Sequence, residues 1–173
     1  LVIAGGPCTL NPEPMHDFFD FFIIGEAEEV LPQIINVYAK LGGDYKAGKI
    51  SKSDLLLAFD KVEGVYVPSF YEVFYNSEGG VAEFKVKKEG AKRKIKKAYV
   101  KDLGTAYYPE RWLVPNIQIV HDRIAIEVMR GCPNKCRFCQ ARSEYFPLRF
   151  RSPENIKELA VNMFKCTGYE ELS

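Results

Sequence analysis

Cys132, Cys136 and Cys139 are spaced C-x3-C-x2-C in the run Glu127-Val-Met-Arg-Gly-Cys-Pro-Asn-Lys-Cys-Arg-Phe-Cys-Gln-Ala141. Three thiolates so close along the chain can converge on one soft metal centre. Closed zinc sites and ordinary iron–sulfur clusters use four protein ligands, so a set of three leaves one position open to a substrate or cofactor. Zinc completed by His121 or Cys166 is the competing assignment, but zinc modules usually present paired knuckles, and Cys166 falls on an expected helix. An electron-transfer cluster with a distant fourth ligand is another. A disulfide framework fits worse: the five cysteines are odd in number, three are clustered, and no secretory segment is visible. Cytoplasmic, reducing surroundings are expected.

The flanking residues place this loop. Ile124, Ile126 and Val128 alternate along a short expected strand ahead of it. Behind it, Ser152 suits an N-cap, Pro153 the first helical position and Glu154 the positive end of the helix dipole. Ile156, Leu159, Ala160, Met163 and Phe164 repeat at helical spacing, and Gly168 suits the stop. The cysteines therefore lie between a strand and a helix, at the strand's carboxyl end. In a (β/α) barrel that end is the catalytic face.

With an aromatic residue just before its last cysteine, the motif resembles that of the radical S-adenosylmethionine enzymes. Arg149-Phe-Arg-Ser-Pro-Glu and Thr167-Gly-Tyr-Glu-Glu narrow the resemblance to a group joining a cobalamin-binding-like domain to a radical S-adenosylmethionine domain. The resemblance implies that Cys132, Cys136 and Cys139 each bind one iron of a [4Fe–4S] cluster. S-adenosylmethionine would chelate the fourth iron, with Phe138 beside its adenine. Reduction, by a protein such as flavodoxin or ferredoxin, would cleave the sulfonium and release a 5′-deoxyadenosyl radical that abstracts hydrogen from an unknown substrate. The methylthiotransferase branch, which modifies RNA or a ribosomal protein, is the alternative within the superfamily. A non-enzymatic zinc module is the alternative outside it.

The expected architecture is α/β, in three parts. Residues 1–45 would be the end of a flavodoxin- or Rossmann-like domain of cobalamin-binding type, residues 46–120 a helix and β-meander linking module, and residues 121–173 the start of a partial barrel. The chain begins inside a strand and stops where a second barrel strand should begin, as expected of a piece truncated at both ends. A hydrophobic content of 47% over 173 residues allows one good core or two small ones, and the net charge of +1 points to no strongly charged partner. No apolar run approaches the ~20 residues that span a bilayer.

Charge supports a division. Residues 1–39 hold six acids and no Lys or Arg, whereas Lys85–Lys101 holds nine basic residues and one acid, Glu89. In the first part, Leu1–Ala4 reads as a strand ending in the turn Gly5-Gly6-Pro7, and Phe18–Ile24 as a buried parallel strand. Gly25–Glu29 opens a helix with Val30, Leu31, Ile34, Ile35 and Tyr38 as its buried stripe. The Gly-Gly-Pro turn and Gly25-Glu-Ala-Glu resemble the cobalamin-binding-like domain, although Ala27 departs from its pattern. Gly5 and Gly6 could let backbone approach cobalamin, but the turn role is favoured. His16 and Cys8 read as solvated loop residues.

The middle part reads as a helix over Ser51–Asp60 capped by Ser51 or Ser53, then strands on either side of Pro68. The turn Asn76–Gly80, a strand over Val81–Lys87 and another over Lys94–Val100 would complete the meander. Gly64-Val-Tyr-Val-Pro68 also matches the resembled group. Its lysines, with Phe84 and Tyr99 among them, could contact RNA phosphates, but a solvated face protecting a sheet edge is favoured. Trp112 reads as packing, and His121 and Arg123 lie at the strand end away from the cysteines. Arg142, Tyr145, Arg149 and Arg151 could hold anionic groups or brace the loop against carboxylates. No residue stands out as a proton donor or radical relay.

Overall fold

Three apolar residues, Phe21–Ile23, form the centre of the first sheet, and all three are buried. This strand, β2, lies parallel to β1 (Ile3–Ala4) and antiparallel to β3 (Val65–Tyr66) in a computed structural model that describes residues 1–109 and 111–173. The expected parallel strand over Phe18–Ile24 is thus shorter, and its neighbours are mixed in direction. Glu13–Phe18 instead winds into a 3-10 helix with a proline in its first turn, which leaves Phe18 exposed.

The chain divides into two compact units, Leu1–Tyr99 and Val100–Ser173. The boundaries drawn from sequence at 45/46 and 120/121 fall inside these units, the former within helix α1 (Val30–Lys46). In the first unit, α1 buries Val30, Ile34 and Gly42, with Val37, Leu41 and Tyr45 packed alongside. Leu31, Ile35 and Tyr38 face outward, which corrects the expected stripe. Positions 30, 34, 37, 41 and 45 keep to one helical face, and the chain buries that face rather than the adjoining one.

Helix α2 (Lys52–Asp60) begins where expected. Ser51 caps it in a reciprocal box, its hydroxyl accepting from the Asp54 N–H while the Asp54 carboxylate accepts from the Ser51 N–H. Leu55, Leu56 and Phe59 then pack on the sheet, the Phe59 ring 5.0 Å from that of Phe21. Pro68 starts a 3-10 turn over Pro68–Phe70 that separates β3 from β4 (Tyr71–Tyr75). Strand β5 (Val81–Val86) pairs with β4 across a turn in which the Asn76 side-chain oxygen accepts from the N–H groups of Glu78 and Gly80.

The meander stops there. Lys94–Val100 forms no strand, and only Ala98 bridges the sheet, beside Gly25. The segment is tied down by other means. Asp60, fully buried, accepts from the Lys92 N–H at 2.9 Å, and the Lys92 ammonium donates to the Val62 and Val65 carbonyls. Burial pushes the Lys92 amine below its usual range. Other basic residues here pair locally: Lys85 with Glu83 at 3.0 Å, Lys96 with Glu63 at 4.0 Å, and Lys61 with the Gly90 carbonyl.

One ion pair carries a pH dependence. Asp20 accepts from the Val2 N–H at 2.7 Å and meets the Lys52 ammonium at 2.5 Å. Burial alone would raise this carboxyl, but Lys52 and the Val2 N–H outweigh it and hold the group below its ordinary value. A carboxyl depressed on folding contributes stability above its unfolded pKa, about 3.9, and that contribution is lost as pH falls through the folded value. Unfolding free energies measured below about pH 4 should therefore fall less for Asp20→Asn than for the parent, by under about 1 kcal/mol. An unchanged slope would remove Asp20 from the acid limb.

In the second unit, Ile124 and Ile126 pack with Leu159 and Met163 of helix α4 (Pro153–Thr167), against Tyr108, Trp112 and Tyr169. Ser152 caps α4 by accepting from the Asn155 N–H at 3.1 Å, and Gly168 ends it in the left-handed conformation. The chain then returns parallel to its start. The Ile124 N–H donates to the Glu171 carbonyl, the Ser173 N–H to that of Ile124, and the Ile126 N–H to that of Ser173. Residues 124–126 and 171–173, joined through α4, form a β–α–β step. The described residues carry small sheets and no closed barrel. The expected strand over Ile124–Met129 is interrupted, and Val128 is half-exposed. No helix among the described residues is long and apolar enough to cross a membrane.

Candidate functional site

The loop carrying the three cysteines is closed at its base by its own backbone. Strand β6 (Met129–Arg130) pairs antiparallel with β7 (Arg149–Phe150), Met129 opposite Phe150 and Arg130 opposite Arg149. The Arg151 N–H adds a bond to the Val128 carbonyl at 3.0 Å. Residues 131–148, including the short helix α3 (Ala141–Tyr145), thus leave and return at one point, next to the buried end of residues 124–126.

Gly131, immediately before Cys132, shows how tightly that base closes. Its φ is 99°, a conformation that residues with a Cβ rarely adopt, and a Cβ there would lie 2.8 Å from Leu148 Cα and from the Tyr145 and Pro147 carbonyl oxygens.

Two arginines brace the closure. Arg149 is 8% exposed; its Nε donates to the Pro147 carbonyl at 2.8 Å, a terminal nitrogen to that of Tyr145 at 3.0 Å, and the other to that of Val100. Arg151, 5% exposed, donates to the Glu127 carbonyl at 3.0 Å, to the Asn155 side chain at 3.0 Å and to the Leu103 carbonyl. Its guanidinium also lies 5.2 Å from the Tyr108 ring centre. Burial pushes the Tyr108 phenol up, and its hydroxyl donates to the Ala125 carbonyl at 2.6 Å. Arg130 forks onto the Glu127 carboxylate at 2.7 and 2.8 Å. So bracing by Arg149 and Arg151 runs largely through backbone carbonyls, where sequence had suggested carboxylates. Arg142 donates to the Pro133 carbonyl at 3.2 Å, inside the loop.

All five cysteines are free thiols. Cys132 is half-buried at the base, whereas Cys136 and Cys139 are exposed, linked by a turn in which the Cys139 N–H donates to the Cys136 carbonyl at 3.2 Å. Among the described residues, no three His, Cys, Asp or Glu side chains are gathered as a metal would require. The donor chemistry nonetheless fits a thiolate-bound group: three free thiols on one closed loop, two already presented to solvent. Phe138, 93% exposed, stands beside Cys139 with no packing role. His121 is occupied with the Arg123 guanidinium at 3.0 Å, and Cys166 is exposed on α4.

The other candidate residues sit in the first unit. Gly6 has φ 102° and opens the 3-10 turn Pro7–Leu10, its carbonyl accepting from the Thr9 N–H at 3.1 Å, which is the turn role. A Cβ on Gly5 would meet Ile23 at 4.0 Å, ordinary contact. Cys8 is exposed within that turn, and His16 is exposed with its ring 3.2 Å from Asp17. Sequence reasoning missed Gly131 as a packing requirement. The only signal was a glycine beside a cysteine, which says nothing of the carbonyls that close over it.

Residues 1–68 match the family model described as "Radical SAM proteins, N-terminal". An uncharacterized protein of Methanocaldococcus jannaschii is 32% identical over the whole chain, and the chain spans 30% of that relative's length. No solved structure matches.

Proposed function

We infer that this chain is a member of the radical S-adenosylmethionine superfamily, supported by the match of residues 1–68, and that it carries a radical enzyme's cluster loop at Cys132, Cys136 and Cys139. The observation that carries the reading is the closed loop itself. It holds three free thiols in C-x3-C-x2-C spacing, after the strand segment 124–126 and before a capped helix that leads back parallel to it.

The three thiolates would hold three irons of a [4Fe–4S] cluster and leave the fourth to S-adenosylmethionine. A cluster held there would supply one-electron reducing chemistry for opening the sulfonium of S-adenosylmethionine. The chain's own residues do the placing. Gly131 lets the loop close tightly at Cys132, Arg149 and Arg151 hold the returning strand to its surroundings, and exposed Phe138 is available beside the adenine. A small one-electron donor of the flavodoxin or ferredoxin type suits a site whose outer two cysteines face solvent. Cobalamin is left out of this reading, because Gly6 opens the 3-10 turn Pro7–Leu10.

Anaerobic reconstitution of the full-length protein followed by metal analysis tests the proposal. About four irons per chain are expected, together with a reduced-state paramagnetic signal that S-adenosylmethionine perturbs. One zinc and no iron would replace the radical reading with a structural metal site.

A further inference from the structure

We propose that Arg149 is a positioning residue for the cysteine loop, acting through Gly131 to fix the start of the loop at Cys132. The inference rests on reading the three cysteines as ligands, and it starts from a coincidence of contacts. Two carbonyl oxygens that a Cβ on Gly131 would strike, those of Tyr145 and Pro147, are the same two that the Arg149 guanidinium gathers at 3.0 and 2.8 Å. The third carbonyl on that guanidinium belongs to Val100, outside the loop. A planar group with donors in a fixed fork can hold three carbonyls at once in a way that a lysine ammonium cannot reproduce. Arg149 therefore ties the loop's exit over its entrance and anchors both to a neighbouring segment.

The chain passes from Gly131 directly into Cys132, the one ligand candidate that is half-buried. Cys136 and Cys139 lie further out and are exposed. The clamp thus preorganises one thiol and leaves the other two to close on the metal, which lowers the ordering needed on binding. Second-layer groups that orient metal ligands are worth about 10–100-fold in metal affinity.

The test compares Arg149→Lys, Arg149→Met and Gly131→Ala with the parent in the full-length protein, with Met163→Ala as a control that disturbs the same core away from the loop. The first readout is thiol alkylation of the metal-free protein, resolved cysteine by cysteine by mass spectrometry. Cys132 should label measurably faster in both Arg149 variants and in Gly131→Ala, with Cys136, Cys139 and Cys166 unchanged. Met163→Ala should leave the Cys132 rate at the parental value. The second readout is anaerobic cobalt(II) titration, followed by thiolate-to-metal charge-transfer absorption. The clamp variants should bind at least about tenfold more weakly than the parent.

Parental labelling of Cys132 in folded Arg149→Met and Gly131→Ala would overturn the proposal. So would Met163→Ala accelerating Cys132 equally, since the effect would then be general loosening. If Arg149→Met does not fold, Arg149→Lys and Gly131→Ala carry the same comparison. A parent that binds no cobalt would sink the ligand reading alone, and the labelling comparison would still report whether Arg149 and Gly131 place Cys132.

Discussion

Replacing Cys132, Cys136 or Cys139 singly by alanine should take iron in the reconstituted full-length protein from about four atoms per chain to below about one. Cys8→Ala and Cys166→Ala should leave it at the parental level. The contrast follows from placement. The first three thiols sit on one loop whose ends are zipped by β6 and β7, while Cys8 lies in a 3-10 turn of the other unit and Cys166 on the outside of α4. A cluster with only three protein ligands has no spare thiolate in reach, so each loss removes an essential bond. Iron content measured beside circular dichroism separates this from unfolding. If Cys166→Ala lost iron as completely as Cys132→Ala, Cys166 would belong to the ligand set and the open coordination position would disappear.

The second large effect is on stability. Gly25→Ala should destabilise the first unit by about 3 kcal/mol or more, a large share of the roughly 5–15 kcal/mol that holds a domain. Gly25 has φ 109°, and a Cβ there would lie 2.1 Å from the Ala98 carbonyl oxygen and 2.9 Å from its nitrogen. The backbone strain alone costs about 1–3 kcal/mol. Relieving the overlap means moving Ala98, which breaks the bonds from the Glu26 N–H to its carbonyl at 3.0 Å and from its N–H to Ile24 at 2.9 Å. Each is worth about 1 kcal/mol net.

Gly6→Ala is the informative partner. Its φ is 102°, nearly the same, but nothing lies within 4 Å of the added methyl. It should cost only the strain, about 1–3 kcal/mol, so urea unfolding of the two variants isolates the steric part. Equal losses would mean that the Ala98 bridge contributes nothing.

Local signals survived folding best. Ser51 and Ser152 cap α2 and α4, Gly168 ends α4, and Asn76–Gly80 turns the hairpin, because each depends on a few neighbouring residues. What failed depended on partners distant in sequence. Lys94–Val100 has strand-forming residues, yet Asp60, Tyr71 and the Val62 and Val65 carbonyls capture Lys92 and turn the segment into a tether. The buried face of α1 could not be chosen from sequence because two adjoining apolar stripes, through Ile34 and through Ile35, were both available. At the candidate site the C-x3-C-x2-C spacing nominates the three cysteines, and the structure shows the closed loop that carries them. The roles of Arg149 and Gly131 were not legible, because both arise from carbonyls in the returning arm of the loop, and a carbonyl has no sequence signature.

Cys132, Cys136 and Cys139 are proposed to bind a cluster that opens S-adenosylmethionine reductively. The decisive measurement is 5′-deoxyadenosine release from anaerobically reconstituted full-length protein given dithionite and S-adenosylmethionine, with Cys132→Ala alongside. Release that needs the reductant and disappears in Cys132→Ala is the expected result. Iron-loaded parent protein that leaves S-adenosylmethionine intact under reduction, or an alanine variant that cleaves it equally well, would contradict the account.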